Sequence, residues 1–335
     1  MKVDFHFHLE EGPYSLRWLE RTARALSATS DEIGREQETG RSPLHSLSWI
    51  NSVSAQLGRR IEQGPFHQNW IKRYLAEGRR RGIGKFGLVD HLYRFEEFKP
   101  YYLKHICVDD SPLGRLQREW LDRVCVTSAS AFIEAAKAAA GSDDALSVGL
   151  EADYFPGGEA ELAGLLEMLD VDYVIGSVHF IDGWGFDNPE TASRFEDENL
   201  ELLYARHFSL VQRAARSGLF DMIGHPDNIK VFGYRPDEGL LGELYRETAR
   251  AFKEAGVATE VNTGLAYRYP VKEICPSPLL LAAMFEYGVP VTFSSDAHYP
   301  DDLGTLIDEA VELAKRTGYR EAAWFKGGKR YLCEL

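Results

Sequence analysis

Short apolar runs alternate with longer amphipathic segments along most of the chain. The runs are rich in β-branched and aromatic residues, as strands are, and the segments between them repeat apolar positions at helical spacing. Strands are predicted at Lys2 to His8, Lys85 to His91, Leu146 to Tyr154, Asp172 to Phe180, Phe220 to His225, Val257 to Asn262 and Val289 to His298. Helices are predicted at Trp70 to Arg81, Ala129 to Ala140, Glu159 to Leu169, Asp197 to Arg216, Asp237 to Glu254, Pro278 to Tyr287 and Asp301 to Arg316. Strands alternating with helices specify a parallel sheet, and right-handed crossovers around about seven units close it. The fold class is therefore α/β, with a distorted TIM-like (β/α)7 barrel.

Two stretches do not fit this repeat. We expect a single barrel domain over residues 1–335, with a helical insertion at about 16–69 and a long connection at about 95–126. Both stretches leave from the C-terminal ends of strands, where barrels place their sites. A lid or substrate wall and a dimer contact are equally good interpretations, so a homo-oligomer stays open.

Composition and charge narrow the class of partner. The formal net charge is −14, which disfavours non-specific nucleic-acid binding and anionic membranes. No uncharged apolar run is long enough to span a bilayer, and the N-terminus places Asp4 and His6 where a signal peptide needs apolar residues. A cytoplasmic location is expected. The four cysteines are scattered, which indicates reduced thiols rather than a disulfide framework.

Residue types that can bind metals lie at nearly every predicted strand end. They are His6, His8, Asp90, His91, Glu151, Asp153, His179, His225, Asp227, Glu260, Asn262, Asp296 and His298. Residues at i and i+2 of a strand face the same way, so His6 and His8 can point together into the barrel mouth. A single barrel histidine is usually a hydrogen-bonded core residue, but six at six strand ends are not independent accidents. His45, His67, His105 and His207 lie outside the pattern and keep that ordinary interpretation.

The donor types favour particular metals and a particular substrate. Imidazole with carboxylate, and no thiolate pairs, suits Zn²⁺, Mn²⁺ or Fe²⁺ better than Ca²⁺ or Mg²⁺. Three dications carry about +6, and the carboxylates with a bound hydroxide remove about 4. The remaining charge of about +2 would attract a phosphate dianion, and adjacent metals could activate a water for its hydrolysis.

The ordered motifs resemble the polymerase and histidinol phosphatase (PHP) family, and within it the stand-alone histidinol-phosphate phosphatases. The motifs, in order, are DFHFH, LVDHLYRF, GLEADY, GSVHFIDGWGFD, IGHPDNIKVFG, EVNTG and SSDAHYPDDLG. The resemblance covers almost the whole chain apart from about residues 16–69. It implies a phosphomonoesterase that uses two to three divalent metal ions.

The resemblance also implies roles for individual residues. His6, His8, Glu151 and Asp296 would bind one metal, and Glu151 would bridge to a second held by His179 and His225. A third would be held by His91, His298 and a residue just after the H-x-H motif. Many relatives have a histidine there, whereas this chain has Glu10 and Glu11, of which we favour Glu11.

Further residues are candidates for proton transfer and for substrate contacts. Asp296 or His298 is expected to protonate the leaving alkoxide. Lys230, Arg268 and Arg235 follow site strands and are candidate phosphate ligands, although each is equally well explained as a solvated charge. An acidic or aromatic wall from Trp184, Asp153 or Tyr267 would bind a cationic amino alcohol.

The favoured function is hydrolysis of L-histidinol phosphate, a small-molecule phosphate ester, to histidinol and phosphate by metal-activated hydroxide. A second hypothesis keeps the metals but changes the substrate to another monoester or a nucleotide phosphodiester, because the two extra connections reshape the barrel mouth. A non-catalytic binding module is disfavoured, since such modules normally lose ligands. An amidohydrolase-type deacylase needs a bridging lysine or carboxylate on the fourth strand, where this chain has His179.

Overall fold

The computed structural model describes residues 1–10, 12–33 and 43–335, and its centre is a barrel of parallel strands. The strands are β1 (Lys2–Phe7), β2 (Ile83–Leu88), β3 (Leu146–Asp153), β4 (Tyr173–Ser177), β5 (Phe180–Ile181), β6 (Trp184–Gly185), β7 (Met222–Ile223), β8 (Ala258–Asn262), β9 (Val291–Ser294), β10 (Glu321–Lys326) and β11 (Lys329–Glu334). Seven of them form one sheet in the order β1-β2-β3-β4-β7-β8-β9. The sheet closes where the Phe7 backbone pairs with Ala297 and the His8 amide donates to the Ala297 carbonyl at 2.7 Å. The predicted TIM-like barrel is therefore confirmed.

Helices surround the barrel. They are α1 (Leu16–Ile33), α2 (Leu47–Gln63), α3 (Gln68–Arg80), α4 (Lys99–His105), α5 (Pro112–Val124), α6 (Ala129–Ala140), α7 (Glu159–Leu166), α8 (Leu200–Arg216), α9 (Gly242–Ala255), α10 (Gly264–Arg268), α11 (Pro278–Glu286) and α12 (Ile307–Thr317). Their starts follow from the sequence: Ser128 caps α6 through a hydrogen bond from the Ala131 amide, and Ser111 caps α5 through the Gly114 amide.

The bottom of the barrel, where the parallel strands begin, is filled by aromatic side chains. Phe325 of the C-terminal hairpin β10–β11 stacks on Tyr173 with ring centroids 5.3 Å apart and lies 6.0 Å from Phe5. Gly149 makes room for this cluster, because a Cβ atom there would lie 2.6 Å from the Tyr173 ring. The hairpin is absent from the predicted elements, and it closes the end of the barrel opposite to the strand exits.

The two irregular stretches are largely helical. The first contains α1 and α2, which precede α3. The second contains α4 and α5, and Gln117 of α5 binds the tight hairpin β5–β6 by donating to the Gly183 carbonyl and accepting from the Gly185 amide. Glu11 and residues 34–42 lie outside the described residues.

Candidate metal centre

Eight buried side chains from the strand ends converge at the open end of the barrel. They are His6, His8, His91, Glu151, His179, His225, Asp296 and His298. Parallel strands that close into a barrel bring all their carboxyl ends to one rim, so residues far apart in the chain meet there. The structure therefore brings together all of the predicted metal ligands that it describes.

Glu151 lies at the centre of this cluster. Its Oε2 atom is 2.8 Å from His91 Nδ1, 3.1 Å from His6 Nε2 and 3.3 Å from His8 Nε2. Its Oε1 atom is 3.0 Å from His225 Nε2 and accepts a hydrogen bond from Ser177 Oγ at 2.7 Å. The two oxygens of one carboxylate thus face two different groups of histidines, as a bridging ligand must.

Four sets of ligand atoms lie close enough to share an ion. The sets are His6, His8 and Asp296; Glu151, His179 and His225; His8, His91 and His298; and His6, His225 and Glu260. The first two match two ligand groups that the family resemblance implies. The third contains His91 and His298 with His8, and Glu11, the favoured further ligand, lies outside the described residues. Glu10, the alternative, instead pairs with Arg60 at 2.7 Å.

The nitrogen positions fit metal coordination. His179 Nε2 and His225 Nε2 lie 3.3 Å apart, and His6 Nε2 and His8 Nε2 lie 2.9 Å apart. A tetrahedral zinc with bonds of 2.0–2.1 Å separates two ligand nitrogens by about 3.3–3.4 Å, and a 90° angle in a five-coordinate site separates them by about 2.9 Å. Lone pairs that converge in this way repel each other without a shared proton or cation, so the donor set fits a divalent metal.

Carboxylates behind the histidines orient the imidazole rings. Glu260 Oε2 lies 3.0 Å from His6 Nδ1, and Asp153 Oδ1 lies 2.8 Å from His179 Nδ1. Each carboxylate accepts the Nδ1 proton and leaves the Nε2 lone pair facing the cluster, the arrangement that outer carboxylates give metal-binding histidines. In the sequence Glu260 is recognisable only as a strand-end residue. Its partner His6 follows from the arrangement of β8, β9 and β1 side by side around the barrel.

The electrostatics of the cluster favour bound cations. Burial lowers the pKa of His6, but the charges of Glu260, Glu151 and Asp296 outweigh it, so the pKa lies well above its usual value. Burial raises the pKa of Glu151, yet the charges of His91 and His6 and the hydrogen bonds it accepts hold it well below its usual value. A buried group of carboxylates that stay ionised requires positive charge between them.

Asp296 combines an unusual backbone with a central position. Its φ angle is 51°, in the left-handed region that costs most residues energy and is common at functional sites. Its carbonyl accepts a hydrogen bond from Arg268 Nη1 at 2.8 Å and lies 3.0 Å from His298 Nδ1. Arg268 Nη1 also lies 2.8 Å from His298 Nδ1, so the guanidinium contacts both Asp296 and His298.

The predicted phosphate ligands occupy two different places. Arg268 lies at the cluster, with Nη1 also 3.4 Å from Asp296 Oδ1. Lys230 is buried and donates to Asp227 Oδ2 at 3.0 Å and to the Ile274 carbonyl at 2.9 Å. Arg235 forms an ion pair with Glu273. Arg268 therefore contacts two predicted metal ligands, Asp296 and His298.

The residues suggested for a cation-binding wall already serve other contacts. Asp153 orients His179, Trp184 Nε1 donates to Thr191 Oγ1 at 3.0 Å, and the Tyr267 hydroxyl donates to the Ser295 carbonyl at 3.0 Å. A carboxylate that the sequence analysis did not single out is better placed. Asp187 follows Phe186, whose amide donates to the His179 carbonyl at 3.1 Å.

Asp187 is partly exposed beside the cluster, and no described side chain pairs with it. Burial raises the pKa of its carboxyl above the usual value, and the neighbouring positive charges of His179 and His225 offset this rise only in part. The Tyr93 ring, also partly exposed, stacks on His91 with centroids 4.4 Å apart. These two side chains give the mouth of the barrel one acidic and one aromatic group. In the sequence, the GSVHFIDGWGFD motif contains Asp187 and is the feature that could have pointed to it.

Fold and site together define a barrel protein with a buried histidine–carboxylate cluster whose donor set fits divalent metal ions. The chain belongs to the PHP domain family, whose model matches residues 68–264. It is 42% identical over 173 residues to a protein of Deinococcus radiodurans named "Probable histidinol-phosphatase", a match covering 52% of this chain and 65% of that protein. A Schizosaccharomyces pombe protein of the same name is 27% identical over 197 residues, covering 54% of this chain and 62% of that one. The chain thus spans less than two thirds of the length of both curated relatives.

A solved structure shares the fold across the whole chain. It is the histidinol phosphate phosphatase of Lactococcus lactis, in complex with zinc, L-histidinol and phosphate. The TM-score is 0.57 with 18% sequence identity, and the match covers 98% of each chain. Among the described helices of our protein, none is long and apolar enough to cross a membrane.

Proposed function

We propose that this protein is a metal-dependent phosphomonoesterase that hydrolyses L-histidinol phosphate to L-histidinol and phosphate. One observation carries the proposal: six histidines, Asp296 and Glu151 meet at one end of the barrel, and the two oxygens of Glu151 face two different groups of these histidines. The names of the two curated relatives and the ligands of the Lactococcus lactis structure support the substrate.

The metal ligands we propose are His6, His8, Glu151, Asp296, His179, His225, His91 and His298, with Glu11 as a further candidate. Bound divalent cations supply Lewis-acid charge and lower the pKa of a water toward neutrality. Zn²⁺, Mn²⁺ and Fe²⁺ all fit the donor types, and the chain offers ligand sets for two or three ions.

The chain's own residues would hold and orient the reacting groups. Glu260 and Asp153 fix the tautomers of His6 and His179. Arg268 anchors the Asp296 carbonyl and brings a positive charge to the side of the cluster that His298 occupies, where a phosphate oxygen would be stabilised. Asp296 and His298 are the candidate donors of the proton that the leaving alkoxide takes up.

Recognition of a cationic substrate would come from the mouth of the site. Histidinol phosphate carries an ammonium group and an imidazole ring, and the carboxylate of Asp187 and the ring of Tyr93 suit these two groups. A partly buried carboxylate without a protein partner is stabilised when a cation binds it.

Phosphate release across a panel of monoesters tests the substrate. We expect L-histidinol phosphate to be hydrolysed with a kcat/KM at least about tenfold above that of aliphatic monoesters without a positive charge, the worth of one charged contact. Turnover of another ester without turnover of L-histidinol phosphate would refute the substrate. A bis-aryl phosphodiester cleaved faster than the matching monoester would favour the nucleotide phosphodiester alternative.

The variant Asp187→Asn tests the recognition carboxylate. Loss of a charge-assisted contact of about 1.5–3 kcal/mol should raise KM for L-histidinol phosphate about tenfold or more. Hydrolysis of p-nitrophenyl phosphate, which has no cationic group, should change less than about twofold. Asp182→Asn, in the exposed turn of the β5–β6 hairpin that precedes Asp187, is the matched control. It should leave the hydrolysis of both substrates unchanged. An equal loss for both substrates would contradict a role in recognition.

A further inference from the structure

The helices α1 and α2, which precede α3 in the first crossover, contact the barrel rim at two places. Both places are the exits of strands that carry predicted metal ligands. The first is the backbone just after His8, where the chain leaves β1. The second is the backbone just after His298, where the chain has left β9. These two histidines face each other, with stacked ring centroids 4.4 Å apart.

The first contact fixes the exit of β1 through a buried carboxylate. Arg60 of α2 donates from Nη2 to Glu10 Oε2 at 2.7 Å, and both side chains are almost fully buried, with 4% and 2% exposed. Trp18 of α1 donates from Nε1 to Glu10 Oε1 at 2.5 Å. The Arg60 guanidinium lies 4.6 Å above the Trp70 ring, and Trp70 Nε1 donates to the Leu9 carbonyl at 2.8 Å. The backbone immediately after His8 is thus held from two sides.

The second contact fixes the exit of β9 through an arginine of α1. Arg21 Nη1 lies 2.8 Å from Asp301 Oδ1, and Arg21 Nη2 lies 2.7 Å from Asp302 Oδ1. The same guanidinium lies 4.5 Å above the ring of Tyr299, the residue that follows His298. A planar guanidinium that binds two carboxylates and an aromatic face fixes geometry more strongly than a lysine would.

We infer that α1 and α2 act as a brace that positions His8 and His298, with Arg60 and Arg21 as its positioning residues. The inference rests on the proposed metal centre and concerns the set of His8, His91 and His298. Glu10 lies two residues after His8, a member of this set. The brace gives Glu10 a role in that arrangement: it holds the strand exit through Arg60 and Trp18.

The rate at which the protein releases zinc tests the brace without depending on phosphatase activity. The zinc-loaded protein is mixed with a chromogenic chelator, and both the number of ions released and their rates are recorded. Outer groups that orient metal ligands change affinity about 10- to 100-fold when removed. We therefore expect Arg21→Gln to release its most weakly held zinc at least about tenfold faster than the unmodified protein.

The Arg60 contact is tested with variants that do not leave a buried charge unpaired. The pair Glu10→Gln with Arg60→Gln removes both charges together, and Arg60→Lys keeps the charge but loses the planar fork. Each should accelerate the release of the same ion about tenfold. In the metal-free protein, hydrogen exchange at the Leu9 and Glu10 amides should also become faster, because the Arg60 guanidinium no longer holds this backbone through Glu10.

Matched controls lie on the same helices. Arg24→Gln on α1 and Arg59→Gln on α2 remove exposed arginines and should leave zinc release within about twofold of the unmodified protein. Zinc binding by the unmodified protein with unchanged release in Arg21→Gln and in the double variant would overturn the brace. An unmodified protein that binds none of Zn²⁺, Mn²⁺ and Fe²⁺ in stoichiometric amounts would instead overturn the proposed function.

Discussion

Replacing Glu260 by Gln keeps the size of the side chain and removes one negative charge behind the metal centre. Glu260 is fully buried and receives four hydrogen bonds. Its Oε1 accepts from the His225 amide at 2.8 Å and from Asn262 Nδ2 at 2.9 Å. Its Oε2 accepts from His6 Nδ1 at 3.0 Å and from Ser294 Oγ at 2.6 Å. A glutamine can offer an oxygen to one pair only, so its NH2 group must face donors of the other pair.

The expected loss follows from these contacts. If the amide nitrogen faces His6, the ring must move its proton from Nδ1 to Nε2, which places a proton where the metal lone pair stood. A hydrogen bond to a charged group contributes about 1.5–3 kcal/mol, which corresponds to about 10- to 100-fold in affinity. We expect the zinc affinity of the set His6, His8 and Asp296 to fall by that factor. The value of kcat/KM at subsaturating zinc should fall by the same factor.

Competition between the protein and a chelator of known affinity gives the zinc dissociation constants, and phosphate release gives kcat/KM. Excess zinc should restore part of the lost kcat, because the variant weakens binding more than chemistry. Glu286→Gln, at an exposed position on α11, is the control and should change neither quantity. Zinc affinity and kcat/KM within twofold of the unmodified protein would show that Glu260 does not orient His6.

Three further outcomes follow from the structure. Removing metal with a chelator should lower the melting temperature, because an ion present at 100 times its dissociation constant stabilises the folded state by about 2.7 kcal/mol; an unchanged melting temperature would argue against tight binding to the folded chain. Phe325→Ala should lower the free energy of unfolding by about 3–5 kcal/mol in urea titrations, since it empties the aromatic cluster beneath the barrel, whereas Leu332→Ala on the exposed face of β11 should change it by less than about 1 kcal/mol. Burial lowers the pKa of His207 to about 4, so between pH 6.5 and 4 the unfolded chain binds the extra proton and stability falls by about 3 kcal/mol as the pH drops. His207→Gln should flatten this part of the stability profile, and parallel profiles for the two proteins would contradict the assignment.

Sequence periodicity was sufficient to predict the barrel and the meeting of its strand ends. Each of the seven predicted strand segments overlaps a barrel strand. However, β2 begins at Ile83, before the predicted start at Lys85, and the segment Phe220 to His225 pairs only over Met222–Ile223. The chain leaves the sheet early there, and the predicted ligand His225 lies beyond the paired residues. Strand order around the barrel, rather than the local pattern, brings this histidine to Glu151.

Other features needed three-dimensional information. The β10–β11 hairpin carries a local signal, because Gly327 and Gly328 both have positive φ angles and suit a two-residue turn. Its packing under Tyr173 depends on glycines in distant strands and has no local signature. The tautomer-fixing role of Glu260 likewise depends on which histidine lies opposite. The position of the Asp187 carboxylate depends on how the β5–β6 hairpin directs the chain past His179.

The left-handed backbone at Asp296 limits how this centre can be redesigned for other metals. Glu151 stands in a regular strand, where a longer or differently shaped side chain meets no backbone penalty. At Asp296 the main chain favours the residues that tolerate a positive φ, such as aspartate, asparagine and glycine, and disfavours β-branched or longer side chains. A change of ligand chemistry is therefore easier to introduce on the third strand than after the ninth, where a glutamate would add backbone strain.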